Sequence, residues 1–212
     1  MADERSAETT MVRRLPRRPQ QQRSRDRVER LIDAADEVLA TEGYGALTVR
    51  RIAAAAGVPV GSIYQFFPDK HAIVDVLSRR YLETFASAMD QLQSRSQAGP
   101  WDDPVGVVVD AFVELCRDNP GYRAIWLDHH LSPEMVRADE ENDDRLAARL
   151  RQILLAQTAV RDSEELAQGC RVAIYLGGAL LRRAFRLDPN GDSVLIDEIK
   201  RIERLYVHDL VR

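Results

Sequence analysis

Apolar residues recur every three or four positions along most of the chain, which is the spacing of amphipathic helices. Breaks rich in Gly, Pro and Asn divide this pattern into nine segments. The first runs from about Arg25 to Glu42, and the fourth begins at Asp69 and stops before Gly99. No segment has the two-residue alternation of a strand. The sequence therefore predicts an all-α protein with about nine helices.

Residues 47–70, with the sequence LTVRRIAAAAGVPVGSIYQFFPDK, predict two short helices joined by a tight turn. Gly57 can adopt the dihedral angles that end the first helix, and Pro59 suits the start of the second, where its missing N–H has no partner. The outward face of the second helix is small and polar with one aromatic hydroxyl, and comprises Val60, Gly61, Ser62, Tyr64 and Gln65. Such a face fits a DNA major groove about 12 Å wide.

At these residues the chain resembles the helix-turn-helix of the TetR-type (TetR/AcrR) family of transcriptional regulators. The matching positions are Thr48, Ala56, Gly57, Val58, Tyr64, Phe67 and Lys70. The resemblance implies a three-helix DNA-binding domain followed by a larger helical domain for ligand binding and dimerisation. Arg51 departs from a full capping box, because Glu or Gln at that place would pair with an N-cap Thr48.

The resemblance also implies roles for individual residues of this unit. Thr48, Tyr64 and Lys70 are expected to hold phosphates and set the register. The residues expected to face base edges are Val60, Gly61, Ser62 and Gln65. Arg50 and Pro59 belong to the same predicted DNA-contacting set. The expected DNA partner is a pseudo-palindromic double-stranded operator, with half-sites about one helical turn, 34 to 36 Å, apart or at a related spacing.

Charge is distributed unevenly along the chain. Residues 1–80 carry 14 Lys and Arg against 11 Asp and Glu, whereas residues 81–212 carry 16 against 23. A stretch from Met11 to Arg25 contains no acid, and its arginines are Arg13, Arg14, Arg17, Arg18, Arg23 and Arg25. We predict that residues 1–24 form a flexible basic arm, of which Arg13, Arg14, Arg17 and Arg18 contact DNA. A solubilising tail with no such role is the alternative.

The predicted division is the arm at 1–24, the DNA-binding domain at 25–70 and the helical body at 71–212. Within the body, the family resemblance implies a ligand cavity enclosed by helices four to eight. Large aromatic and apolar side chains suit such a cavity, and the candidates are Trp101, Phe112, Cys116, Tyr122, Trp126, Tyr175 and Leu176. Each of them could instead be an ordinary core residue, and the small-molecule effector is not identified.

The last two helices have apolar stripes that predict an association surface. The residues proposed for a homodimer interface are Ile174, Gly177, Leu181, Leu195, Ile199, Ile202 and Tyr206. Glycine inside a helix costs up to about 1 kcal/mol relative to alanine, so Gly177 and Gly178 need a compensating contact. Close packing of helices between subunits is one explanation. A contact within the subunit, or space for a ligand, is the other.

Other kinds of chemistry have little support in the sequence. We predict no enzyme activity, no cofactor and no metal, because no phosphate loop, nucleophile motif or metal-ligand spacing occurs. The group Asp128, His129, His130 and Glu134 is a weak metal candidate, since adjacent histidines point to different sides of a helix. The acidic run at 139–144 is most simply a solvated helix start, with cation binding as the alternative.

Composition predicts where the protein acts. The two cysteines, Cys116 and Cys170, form no disulfide framework, and no apolar run approaches the roughly 20 residues that a membrane-spanning helix needs. The N-terminus has arginines without an apolar signal region. We therefore expect a cytoplasmic repressor that dissociates from DNA when a small molecule binds. An activator or ligand-independent DNA-binding protein, or a helical small-molecule-binding protein or enzyme, remains open.

Overall fold

The computed structural model describes residues 18–128 and 132–212, with side chains from residue 22 onward except that of Asp128. This part of the chain contains nine α-helices, one short 3₁₀ helix at Tyr44–Ala46 and no strand. The helices are α1 (Arg18–Glu42), α2 (Val49–Ala56), α3 (Val60–Ile63), α4 (Lys70–Ser96), α5 (Pro104–Asp118), α6 (Pro120–Asp128), α7 (Pro133–Gln157), α8 (Glu164–Leu187) and α9 (Ser193–Leu210). The predicted all-α class is confirmed.

The first helix begins earlier than its apolar pattern indicates. The predicted start is near Arg25, but α1 begins at Arg18, so residues 18–24 of the predicted flexible arm are helical. Pro19 is compatible with this start, because a helix does not use the N–H groups of its first turn. The described residues do not include 1–17, so the predicted contacts of Arg13, Arg14 and Arg17 fall outside them.

The turn between α2 and α3 is formed as the sequence predicts. Gly57 has φ 65° and ψ 36°, a left-handed conformation that few other residues adopt without strain. The N–H of Val58 donates to the carbonyl of Ala53 at 3.0 Å, which closes the end of α2. Ile52 and Ile63 are fully buried in one apolar core with residues of α1 and α4. This core fixes the position of the short α3 on the surface.

The helical body is assembled around two further apolar cores. Helix α4 runs from the DNA-binding unit into the body and packs along α7, which packs on α8, while α8 pairs with α9. Helix α6 has a different position, since it lies against α1 and contributes Ile125 to the first core. The body and the DNA-binding unit are therefore joined through both α4 and α6.

Candidate DNA-binding surface and ligand cavity

The outward face of α3 is exposed where the sequence predicts a DNA-contacting surface. Val60, Gly61 and Gln65 are exposed, Ser62 is partly exposed, and Tyr64 presents 57% of its surface. An exposed tyrosine ring beside small residues has no packing role in the subunit. The helix is short, but the N–H of Phe67 donates to the carbonyl of Ile63 at 2.9 Å and extends the turn past Tyr64.

Thr48 serves as the N-cap of α2, and its Oγ1 accepts a hydrogen bond from the N–H of Arg51 at 3.1 Å. The Arg51 side chain does not complete a capping box. Its Nε instead donates to the Glu42 carboxylate of α1 at 2.8 and 3.0 Å. This ion pair joins α2 to the end of α1, while Arg50 remains exposed and Pro59 precedes α3 at its N-cap.

Lys70 begins α4 at the edge of this surface. Its ammonium lies 4.7 Å from the centre of the Tyr44 ring, which limits the directions in which the side chain can extend. The N-cap of α4 is Asp69, whose Oδ1 accepts from the N–H of Ala72 at 3.0 Å. Of the residues predicted to hold phosphates, Thr48 and Tyr64 are exposed, as is Arg50, and Lys70 is partly exposed.

A cavity of about 280 Å³ lies inside the body, with walls from α4 to α9. Five of the seven predicted lining residues contribute to it, namely Phe112, Cys116, Tyr122, Trp126 and Tyr175. Trp101 and Leu176 are not in the wall. The backbone N–H of Trp101 donates to Gln157 Oε1 at 2.6 Å, which holds this loop against the end of α7. Tyr175 is half exposed and marks a place where the cavity approaches the surface.

The cavity also has polar wall residues that the sequence analysis did not identify, namely Asp139, Asn142, Asp143, Arg182 and Glu203. The acidic run at 139–144 was interpreted as a solvated helix start, but this interpretation is wrong for its inward positions. The spacing of these residues along their helices indicates that they point inward. Asp139 and Asp143 continue the stripe of Leu146 and Leu150 along α7, and Glu203 lies in the apolar stripe of α9 between Ile199 and Val207.

Burial changes the acidity of these groups. It raises the pKa of Glu203 to about 7, and burial together with the neighbouring Asp139 raises the pKa of Asp143 to about 7. The pKa of Asp139 is also raised by burial, an effect that Arg182 opposes. At Cys116, burial raises the thiol pKa to about 12, so this wall residue stays protonated and is a poor nucleophile.

Aromatic side chains connect the cavity to the DNA-binding unit. Tyr122 of α6 stacks on Trp126, with ring centres 5.5 Å apart, and meets the Tyr81 ring of α4 edge-on at 5.5 Å. The Tyr81 hydroxyl in turn donates to the Asp36 carboxylate of α1. Gly121 packs at this contact, because a methyl group there would collide with both Asp36 and Tyr81. A change at the cavity wall can therefore reach α1 through three neighbouring side chains.

The predicted dimer residues fall into two groups. Ile174, Gly177 and Leu181 line the cavity, and Ile199 is fully buried inside the subunit. A methyl group on Gly177 would stand 3.4 Å from Glu203 Oε1, an ordinary van der Waals distance, so this contact within the subunit does not require a glycine. Leu195, Ile202 and Tyr206 are partly exposed. The most exposed apolar residues of α8 and α9 are others, and comprise Val172, Tyr175, Leu187, Val194 and Leu205.

Membrane-spanning helices and metal sites are both absent from the described residues. None of the helices there is long and apolar enough to cross a membrane. The same residues contain no group of three or more His, Cys, Asp or Glu side chains placed to hold a metal ion. His129 and His130 of the weak metal candidate lie outside the described residues.

Comparison with known proteins agrees with both halves of this architecture. Residues 31–77 match the model of bacterial regulatory proteins of the tetR family, and residues 99–209 match the tetracyclin repressor-like C-terminal domain. The chain is 29% identical over 173 residues to the HTH-type transcriptional regulator BetI of Pseudomonas aeruginosa, an alignment that covers 76% of this chain and 86% of BetI.

Two other similar proteins illustrate the range of relatives. A TetR-family transcriptional regulator from Streptomyces coelicolor superposes with a TM-score of 0.61 at 29% identity, over 87% of this chain and 99% of that one. The nucleoid occlusion factor SlmA of Actinobacillus pleuropneumoniae is 26% identical over 137 residues, which cover 65% of this chain and 61% of SlmA.

Both domain models match in the order in which the structure arranges the two parts, and the C-terminal match alone spans half of the chain. Proteins of this family and fold are transcriptional regulators, not enzymes. The chain belongs to the TetR family, and it is a DNA-binding transcriptional regulator with a ligand-binding type of C-terminal domain.

Proposed function

We propose that the protein is a cytoplasmic, homodimeric repressor that leaves its operator when a small molecule enters the cavity. The observation that carries this proposal is the contact chain from the cavity wall at Tyr122, through Tyr81, to Asp36 of α1. A ligand against Tyr122 has a direct packing route to the DNA-binding unit, and a repressor requires such a route. No reaction is assigned to the protein.

On the DNA side, the proposed reading set is the exposed face of α3. Val60, Gly61, Ser62 and Gln65 face base edges, while Thr48, Arg50, Tyr64 and Lys70 hold the backbone on either side, with Pro59 at the start of the helix. Phosphate contacts fix the register, and base contacts give sequence preference. The arginines of the N-terminal segment, Arg13, Arg14, Arg17 and Arg18, add further phosphate contacts.

For the dimer, we propose an interface formed by the exposed sides of α8 and α9. Five of the large apolar residues that the described part of the chain exposes belong to these two helices, and Val194 and Leu205 are exposed by 77% and 60%. Apolar side chains so exposed on two paired helices fit a self-complementary surface. Ile202 lies on α9 beside Leu205, whereas Leu181 and Ile199 support the surface from within.

Release from DNA follows from a change in the separation of the two reading helices. A ligand that binds more tightly to one arrangement of α4 and α6 shifts the population toward that arrangement. The affinity of each DNA-binding unit for its own half-site can stay constant while the dimer loses the spacing that both half-sites need. The coupling is reciprocal, so the operator must also weaken the binding of the ligand.

The direct test is fluorescence anisotropy with duplexes tiled across the DNA upstream of the protein's own gene. We expect one duplex with an imperfect inverted repeat to bind a dimer with high affinity, and a scrambled repeat of equal length to bind only weakly. Addition of candidate ligands should then lower the affinity for the repeat. Equal affinity for repeat and scrambled duplexes at physiological salt would refute operator-specific repression.

A second candidate is a ligand-independent DNA-binding protein of the same fold, and the similarity to the nucleoid occlusion factor SlmA favours a role other than repression of one operator. An activator of the same fold would bind its site but raise transcription. Run-off transcription from the bound promoter separates these possibilities, because a repressor lowers transcript yield and a ligand restores it.

A further inference from the structure

The cavity has more negative than positive groups among the described residues. Three carboxyl side chains line it, those of Asp139, Asp143 and Glu203, against the single guanidinium of Arg182. The remaining wall is mainly apolar and aromatic. Carboxyl groups in such a wall are costly unless a partner compensates them.

Two wall oxygens lack that partner in the described part of the chain. Glu203 is only 4% exposed and Asn142 only 3%, yet neither Glu203 Oε1 nor Asn142 Oδ1 accepts a hydrogen bond there. Both atoms are acceptors, and buried polar atoms without partners are rare in folded proteins. A ligand that brings N–H donors would satisfy both.

Arg182 does not balance this charge. Its guanidinium lies 5.0 Å from the centre of the Trp126 ring, and its buried Nε has no hydrogen-bond acceptor among the described residues. It lowers the pKa of both Asp139 and Asp143, which indicates that its charge is shared between them. The single positive charge of Arg182 can compensate only one of the two aspartates of α7. The other aspartate and Glu203 are left without a positively charged partner.

We propose, on the basis of the ligand-responsive function above, that the effector is an organic cation: an ammonium or amidinium group on an apolar body. The cationic N–H groups meet Glu203, Asn142 and Asp143, and the hydrocarbon body fills the space beside Phe85 and Tyr122. Aromatic faces such as these also attract cations. A metal ion is a poorer occupant, because the described residues offer no group of three converging ligands.

The raised pKa values of two wall carboxyls are consistent with this occupant. With a pKa of about 7, Asp143 and Glu203 are each partly protonated in the empty cavity at neutral pH. An entering cation favours the ionised forms, so binding should release protons. Asp143 interacts with Asp139, Glu140 and Asp144 of α7 and with Arg182 and Tyr175 of α8. Tyr206 of α9 interacts with Glu203, and Cys116 of α5 and Tyr122 of α6 complete the titratable groups of the wall.

The test compares probes that share one body and differ in charge. The first series is adamantan-1-amine, adamantan-1-ol and adamantane-1-carboxylate, and the second is 2-phenylethylamine, 2-phenylethanol and 3-phenylpropionate. Binding to the full-length protein is measured by calorimetry at pH 8, without DNA. In at least one series we expect the amine to bind at least ~10-fold more tightly than its alcohol, which corresponds to ~1.4 kcal/mol of binding free energy. The carboxylate should bind least tightly of the three.

Substitutions then assign the preference to residues. Glu203→Gln and Asp143→Asn should each remove most of the amine-over-alcohol preference while alcohol binding persists. Glu83→Gln, exposed on α4, removes the same charge outside the cavity and should leave the preference unchanged. At pH 7 the heat of amine binding should vary with the ionisation enthalpy of the buffer, as proton release requires.

The cation proposal is overturned if, in both series, the alcohol or the carboxylate binds as tightly as the amine, or if neither amine binds at millimolar concentration. It is also overturned if Glu203→Gln and Asp143→Asn both keep the full preference. These results leave operator binding untouched, because DNA is absent from the assay. Conversely, an amine that binds with the expected preference but never weakens operator binding refutes ligand-controlled repression and leaves the cation site in place.

Discussion

The DNA-binding unit and the helical body differ in the charged and amide groups that they bury. In the first, ionic groups lie at the surface over an apolar core, and some of them are paired, as Arg51 is with Glu42. In the body, Glu203 and Asn142 are buried with oxygens that have no partner among the described residues. The DNA-binding unit keeps its ionic groups at the surface, whereas the proposed ligand would supply partners for the two buried oxygens of the body.

The largest expected effect concerns the proposed dimer surface of α8 and α9. Leu205→Asp places a charge on an exposed position of α9, so the isolated subunit should still fold. At an interface the same carboxylate would be buried without a partner, and the dimer should dissociate. Sedimentation at micromolar concentration measures this, and operator affinity should fall roughly 100-fold as two linked half-site contacts become one.

The matched control for this substitution is Val136→Asp, which introduces the same charge at an exposed apolar position of α7. It should leave both the dimer and operator binding intact. Wild-type protein that sediments as a monomer would refute the interface altogether. A Leu205→Asp protein that remains a dimer would exclude this part of α9 from the interface.

The buried carboxyl of the body should destabilise the empty protein at high pH. Folded Glu203 holds its proton up to about pH 7, whereas its ordinary pKa is 4.5. The folded state therefore binds more protons between these values, and the free energy of unfolding falls as pH rises from about 4.5 to about 7. Glu203→Gln removes this penalty and should stabilise the protein at pH 8 by up to about 3 kcal/mol.

Thermal unfolding at pH 8 and at pH 4.5 measures this effect. The gain from Glu203→Gln should be largest at pH 8 and nearly absent at pH 4.5, where the folded carboxyl is protonated and the unfolded one is only half ionised. Glu83→Gln, at an exposed position, should give no such pH-dependent gain. A gain of equal size at both pH values would show that charge is not the cause.

The connection between the two regions can be weakened at Tyr81. Tyr81→Phe keeps the ring but removes the hydroxyl that donates to Asp36, at a cost of about 2 kcal/mol for a hydrogen bond to a charged group. We expect ligand binding and operator binding to persist, while the ligand no longer releases the operator. Ser94→Ala is the control and should release normally, since the Ser94 hydroxyl donates to the carbonyl of Asp90 within α4 and does not belong to the contact chain. Normal release by Tyr81→Phe would exclude this chain as the route.

The smallest effect is expected at the edge of the DNA-binding surface. Lys70→Ala should weaken binding to operator and to random DNA alike, because a phosphate contact has no sequence information. The slope of log affinity against log salt should fall by about 0.9 for each phosphate that the protein no longer neutralises. Arg161→Ala removes an exposed charge from the loop between α7 and α8 and should not change the slope. An unchanged slope in Lys70→Ala would show that this lysine does not bind a phosphate.

The sequence by itself determined the elements that depend on local chemistry. Gly57 must end α2 because few other residues adopt its dihedral angles, and Asp69 caps α4 because its carboxylate reaches the N–H of Ala72. The outward face of α3 could be read from periodicity, since the buried Ile63 fixes which side of so short a helix turns inward. Local propensity and spacing were sufficient for these features.

Only the tertiary structure decided what each buried stripe contacts. Periodicity identified inward positions on α8, but it could not say whether Gly177 and Leu181 face a second subunit or a cavity, because both are apolar environments. The same limit applies to Asp139 and Asp143, whose run of like charges suggested solvent until α8 was placed opposite them. Whether a carboxyl is solvated or buried depends on residues that are distant in the chain. Only the packing of α7, α8 and α9 brings these residues together.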